Sequence, residues 1–151
     1  MRAIEFREAT VEDVPALCAL RKAQLIDEGI ESSMDIDREL DAFFRDFLRA
    51  KDLFEVLGVY EGKVVATAAV IFYRYPPTYT NQSGKIGYVT NMYTDPAFRG
   101  QGVATRMLGL LEAEAARRGV SVLRLGASKL GRPMYEKNGY RQDGEWMSKR
   151  L

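Results

Sequence analysis

The residues from Asp95 to Leu108 read DPAFRGQGVATRML, and they carry the densest chemical signal in the chain. Arg99, Gly100 and Gly102 stand directly before an apolar periodic run. Glycine weakens a helix, so two of them at this point need a reason. A phosphate loop of the GxxxxGK[ST] kind is excluded, because the spacing differs and the lysine is missing. A dinucleotide fingerprint, GxGxxG, would need a third glycine, which GQGVAT lacks. Two readings remain. One is a glycine turn that merely starts a helix. The other is an anion cradle, in which unpaired N–H groups at a helix N-terminus converge on a phosphate. In that cradle Gly100 and Gly102 let the backbone approach closely, and Arg99 adds charge from the side.

The chain contains no histidine. Ser-His-Asp triads, Cys-His pairs and histidine-ligated zinc are therefore excluded. Acid–base chemistry falls to Tyr, Asp, Glu, Lys, Cys, water or the backbone. Cys18 is the one cysteine, so there is no internal disulfide and no cysteine-cluster metal site. It reads as a small core residue, and no metal is expected.

The elements that must position these groups follow from local patterns. Residues 3–9, AIEFREA, alternate apolar and charged and read as a strand. Thr10 then caps a helix with Asp13 as its acidic partner, and the helix runs to about Glu28 and stops at Gly29. A second helix, roughly Asp35 to Lys51, aligns Ile36, Leu40, Phe43, Phe44, Phe47 and Leu48 on one face. Leu53 to Tyr60 and Lys63 to Tyr73 form a hairpin around Glu61-Gly62. Pro76 to Gly84 is a loop, and Lys85 to Thr94 is a strand ended by Asp95-Pro96. After the glycine motif, Val103, Met107, Leu108, Leu111 and Ala115 mark a helix that closes at Arg117-Arg118-Gly119. VSVLRLGA, residues 120–127, reads as a strand. RPMYEKNG is a short helix with Pro133 near its start and Gly139 after its end. Tyr140 to Leu151 reads as two strands bent at Asp143-Gly144. The strand–helix–strand crossover around the glycine motif requires a parallel pair in an otherwise hairpin-rich sheet.

These elements fit one domain over residues 1–151. A net charge of +1 argues against nucleic-acid binding by bulk electrostatics. No apolar run approaches a membrane span, and the opening MRAIEFREATVEDV lacks a signal-peptide core, which gives the expectation of a cytoplasmic, reduced protein.

RGQGVA fits R/Q-x-x-G-x-G/A between a strand and an amphipathic helix. With VTNMYTDPAFRGQGVATRML before it and GRPMYEKNGY after it, the chain resembles the GNAT (GCN5-related) N-acetyltransferase superfamily. The order of elements matches over nearly the whole chain, and the first ~50 residues match in element order only. The resemblance implies an α/β (α+β) fold: a mixed, mostly antiparallel, splayed sheet of six to seven strands with about four helices. It also implies acetyl-coenzyme A as co-substrate.

Carried over by resemblance, the backbone of Asn91 to Thr94, chiefly Met92, Tyr93 and Thr94, would hold the pantetheine and the acetyl carbonyl. Arg99, Gly100, Gln101, Gly102, Val103, Ala104 and Thr105 would hold the pyrophosphate. Tyr135 would act as the acid at the departing thiolate, being protonated at pH 7 with a phenol pKa near 10. Glu28 is the chosen base, ahead of Glu31 and Asp35, because the loop after the first helix borders the acceptor cleft in this family. Ser128 contacts the cofactor or caps the helix that follows it. Arg106, Arg132 and Lys137 are within a family-like reach of the 3′-phosphate. Tyr73, Tyr75 and Tyr79 are expected to wall the acceptor site.

The implied activity is acetyl transfer from acetyl-CoA to a primary amine, on a small molecule or peptide, by direct attack in a ternary complex. The competing reading is an acyl-CoA-binding sensor that kept the cradle and lost transfer. No nucleic acid or membrane partner is expected. Pairing of the C-terminal strands across a two-fold axis would give a homodimer.

Overall fold

The structure, a computed structural model, describes residues 2–151. Strand β1 (Glu5–Glu8) leads through a 3-10 turn (Val11–Asp13) into helix α1 (Val14–Asp27), and α2 (Asp37–Ala50) follows. Strands β2 (Leu53–Tyr60), β3 (Lys63–Arg74) and β4 (Lys85–Thr94) come next, then α3 (Val103–Arg117), β5 (Leu123–Arg124) and α4 (Arg132–Lys137). The sheet order is β1-β2-β3-β4-β5. All neighbours are antiparallel except β4 and β5, which are parallel, as the crossover through α3 requires.

Local rules account for most of the boundaries. Thr10 and Asp13 form a reciprocal capping box, with the Thr10 N–H donating to Asp13 at 2.8 Å. Arg7 clamps the same carboxylate with two hydrogen bonds at 2.8 and 2.9 Å, which ties β1 to the start of α1. Glu61 and Gly62 both adopt positive φ, 48° and 78°, the geometry that closes a tight hairpin between β2 and β3.

The sheet separates two apolar layers. On one face, α3 and α4 set Val103, Met107, Leu108, Leu111 and Tyr135 against Val56, Ala66, Ala68, Val70 and Val89. On the other, α1 and α2 set Val14, Leu17 and Phe44 against Leu53, Leu57 and Ala69. Leu40, Phe43, Phe47 and Leu48 pack against this second cluster, as the periodicity of the second helix requires.

The sheet has five strands, not six to seven. Tyr140 to Leu151 forms no strand. This segment is rich in polar residues, and Trp146, Met147 and Leu151 lie exposed, so little burial would drive strand formation. Its template is also short, because β5 pairs with β4 through Gly87–Leu123 and Tyr88–Arg124 only. The expected strand 120–127 shrinks to Leu123–Arg124 for the same reason: β4 turns away beyond Tyr88.

Candidate active site

The divergence of β4 from β5 defines the site. From Val89 to Thr94, β4 has β3 on one edge and no strand on the other. A bulge sharpens the divergence. Thr67 pairs with Tyr93, but Ala69 pairs with Thr90, so β4 carries an extra residue there. Asn91, within the bulge, sits at φ 54° although it bears a side chain. Asparagine tolerates this left-handed conformation better than most residues.

A buried polar network lies beneath the bulge. Glu55 on β2 is fully buried between Leu53 and Leu57. Its Oε1 accepts the Thr67 hydroxyl at 2.6 Å and the Nδ2 of Asn91. Glu55 Oε2 and Asn91 Oδ1 are buried without partners. Burial pushes the Glu55 carboxyl up from 4.5 to about 7, although both hydrogen bonds and the more distant Arg21 charge oppose the shift. The sequence signal for Glu55 is its period-2 placement between two inward leucines, Leu53 and Leu57.

The Glu55 shift sets a pH dependence of stability. Below about 4.5 the carboxyl is protonated in both the folded and unfolded chain, and its contribution is neutral. Between about 4.5 and 7 the unfolded chain releases the proton while the folded chain still holds it, so stability falls over that window and levels off above about 7. The loss amounts to about 3 kcal/mol. Glu55→Gln keeps an acceptor for Thr67 and Asn91 and cannot ionise. Melting curves from pH 4.5 to 8 are expected to show this variant gaining on the wild type as pH rises, and a pH-independent difference contradicts the assignment.

The glycine motif closes the far end of β4. Asp95 accepts the Ala97 N–H and caps a 3-10 turn (Pro96–Phe98), and Gly102 is the N-cap of α3. Gly100 and Gly102 have φ of 74° and 78°. A Cβ at either would meet nothing within 4 Å, so open space faces both. The N–H groups of Gly100 to Thr105 have no hydrogen-bond partner among the described residues. These donors at a helix N-terminus, facing open space, fit a pyrophosphate. The turn-only reading leaves that row of donors unexplained.

Arg99 behaves differently from the expectation for its side chain. Its Nε donates to the Thr94 carbonyl at 2.8 Å, and Nη2 pairs with Asp27 at 2.9 Å. The guanidinium also lies 5.6 Å from the centre of the Tyr93 ring. Arg99 therefore braces the loop against β4 and the end of α1, and the backbone amides face the cradle. Gln101 Oε1 is buried without a partner. Thr105 Oγ1 receives Asn138 Nδ2 at 3.4 Å, which links the start of α3 to the end of α4. Met92 packs on the α3-facing core, so any contact with a ligand there would come from the backbone.

Tyr135 on α4 is buried, with its ring edge-on to Tyr140 at 5.9 Å. Its phenol is pushed up to about 12, first by burial, then by the Glu28 and Tyr88 charges. Glu28 is the exposed C-cap of α1, and its carboxylate accepts Gln24 Nε2 at 3.2 Å. Ser128 Oγ accepts the Gly131 N–H at 3.1 Å and so closes the turn that leads into α4, whose own N-cap, Gly131, has no side-chain cap. Arg132 is occupied by Glu136 at 3.8 Å and Gln142 at 3.3 Å, and Arg106 lies 5.9 Å from the Phe6 ring centre. The Cys18 thiol is pushed up, chiefly by burial and then by Asp41 and Asp37. A raised thiol is a poor nucleophile.

A mixed sheet that splays beyond Tyr88, followed by a glycine turn with unpaired amides at the start of α3, is the arrangement of a class, the acyl-coenzyme A transferases of one fold. Comparison with known proteins makes it specific. The sequence model described as Acetyltransferase (GNAT) family matches residues 16–140, and the chain belongs to this family. A protein from Clostridium acetobutylicum, described as a predicted acetyltransferase and crystallised with acetyl-CoA, is 46% identical, with 99% of this chain and 97% of that one covered and a TM-score of 0.96. A GCN5-related N-acetyltransferase from Ralstonia eutropha JMP134 is 25% identical over 99% of both chains, at a TM-score of 0.91. Glucosamine-6-phosphate N-acetyltransferase from Arabidopsis thaliana shares the fold, at 21% identity over 99% of both chains and a TM-score of 0.77. No curated protein sequence is a significant match. Among the described residues no helix is long and apolar enough to cross a membrane.

Proposed function

We propose that this chain moves an acetyl group from acetyl-CoA to a primary amine by direct attack within a ternary complex. The observation that carries the reading is the gap beside β4, ending at the unpaired N–H row of Gly100 to Thr105. The 46%-identical structure with acetyl-CoA supports the choice of donor.

Acetyl-CoA supplies a thioester, an acyl group on a thiol leaving group. The unpaired edge of β4 would hold the pantetheine arm as an added strand, through the backbone of Met92, Tyr93 and Thr94. The amides of Gly100, Gln101, Gly102, Val103, Ala104 and Thr105 would hold the pyrophosphate. Backbone donors at the β4 bulge would stabilise negative charge on the carbonyl oxygen. The amine nitrogen forms the new C–N bond, the C–S bond breaks, and the amine's proton leaves through Glu28 or water. Tyr135 donates a hydrogen bond to the departing sulfur. Ser128 acts on the site by setting the entry to α4.

Direct attack and a covalent relay through Cys18 make different predictions. Initial rates with both substrates varied are expected to give intersecting reciprocal plots, and Cys18→Ser is expected to retain the rate. Parallel plots with acetyl label on Cys18 would contradict direct attack.

A further inference from the structure

One cation at the end of the sheet stands among aromatic rings with no acidic residue beside it in the cavity it lines. Arg124 on β5 carries a buried Nε with no hydrogen-bond partner. Its guanidinium lies 5.2 Å from the centre of the Trp146 ring and 5.8 Å from that of Tyr75. It lines a cavity of about 560 Å³ together with Ile71, Tyr73, Tyr75, Tyr88, Leu125 and Trp146. That volume suits a small molecule. No acidic residue lines it, so the Arg124 charge has no partner within the cavity. A second cavity of about 360 Å³ shares Arg124, Leu125, Gly126 and Trp146, and Tyr135, Glu136 and Asp143 also line it. Because the two cavities meet at the four shared residues, the aromatic cavity adjoins Tyr135.

We infer that this cavity binds the acceptor and that Arg124 reads an anionic group on it, which makes the acceptor an amine that also bears a carboxylate and an apolar or aromatic body. The inference rests on the acetyltransferase reading above. The chemistry is complementary at three points. The Tyr73, Tyr75, Tyr88 and Trp146 rings suit an apolar or aromatic body. A planar guanidinium suits a carboxylate and pairs with it in fork geometry. The Glu28 carboxylate, on the Tyr135 side, suits the amine. A polycationic amine would instead place a second positive charge beside Arg124, in a cavity with no counter-charge.

The rival for Arg124 is a purely structural role, pinning Trp146 and the C-terminal segment onto β5. A matched ligand pair separates the two. L-phenylalanine and phenethylamine share ring and amine and differ in the carboxylate. Calorimetric titration into the protein saturated with CoA is expected to show L-phenylalanine binding at least ~10-fold more tightly. Arg124→Gln is expected to erase that ratio while leaving CoA affinity unchanged. Equal affinities, tighter phenethylamine, or no binding of either to the wild type overturns the inference, and this arm needs no variant. If Arg124→Gln weakens CoA and leaves the ratio intact, the anion read by Arg124 belongs to the coenzyme and the inference also fails. Acetyl-CoA titrated in parallel keeps the two levels apart. Absence of its binding removes the acetyltransferase reading, whereas intact binding without the carboxylate preference removes only this acceptor class.

Discussion

Tyr135→Phe is expected to lower kcat by roughly 10²-fold while leaving the Kd for acetyl-CoA within about twofold. The size follows from the Tyr135 environment. Its phenol is held at about 12, so it is protonated at every pH at which the enzyme would work. A thiol titrates near 8.5, so complete proton transfer from this phenol to the thiolate runs uphill. On the proposed mechanism Tyr135 would contribute a hydrogen bond to sulfur as charge develops, and the proton that finally resides there would derive from the amine or from solvent. Loss of one such donor is worth about 10²–10³ in rate, and full general-acid catalysis reaches about 10⁴. A second consequence concerns pH. Because burial and the Glu28 and Tyr88 charges hold the phenol near 12, ionisation of Tyr135 should give no alkaline fall in kcat below about pH 10. Stopped or continuous thiol assays on both forms, from pH 6 to 10, check the rate and the profile together. An unchanged rate in Tyr135→Phe would remove the residue from the chemistry.

Gly102→Val is expected to abolish most acetyl-CoA binding, by about 10²-fold or more, and to cost about 1–3 kcal/mol of stability. Gly102 holds φ at 78° at the N-cap of α3. A β-branched residue resists that conformation. Space is not the obstacle, since nothing lies within 4 Å of a Cβ there. The valine either keeps the strained backbone and projects into the cradle, or relaxes it and turns the first amides of α3 away. Both outcomes lose the anion. Gly109 provides the control, being a helical glycine of α3 with equally open surroundings and no positive φ. Gly109→Ala is expected to leave binding intact and to gain about 0.5–1 kcal/mol. Chemical denaturation and calorimetry of the two variants test the contrast. Equal binding by Gly102→Val and Gly109→Ala would contradict the cradle.

The parts of this molecule that were legible in the sequence obey short-range rules. Thr10 and Asp13 announce a cap, Glu61-Gly62 announces a hairpin, and RGQGVA announces a strand-to-helix turn with positive φ. The illegible parts depend on partners far along the chain. Arg99 reads as charge for a phosphate, yet its guanidinium is held by Asp27, 72 residues away. Glu55 stands in an apolar run, and what holds its carboxyl is set by Thr67 and Asn91, at separations of 12 and 36 residues. The C-terminal segment has turn chemistry at Asp143-Gly144 that suggests a bent strand pair. Strand formation there needs an edge to pair with, and β5 is too short to supply one. Arg124 looks like a polar interruption in VLRLG. Only the fold places it beside Tyr75, which follows β3, and Trp146, in the C-terminal segment.

The most direct test of the account is the release of CoA from acetyl-CoA across a panel of small amines, amino acids, polyamines and peptides, with acetylated amine counted by mass spectrometry in the same samples. The account predicts CoA and acetylated amine in equal amounts with at least one acceptor, well above the rate without amine. Acetyl-CoA binding with no acceptor turned over above hydrolysis would contradict it, and would make the gap beside β4 a sensor for the coenzyme.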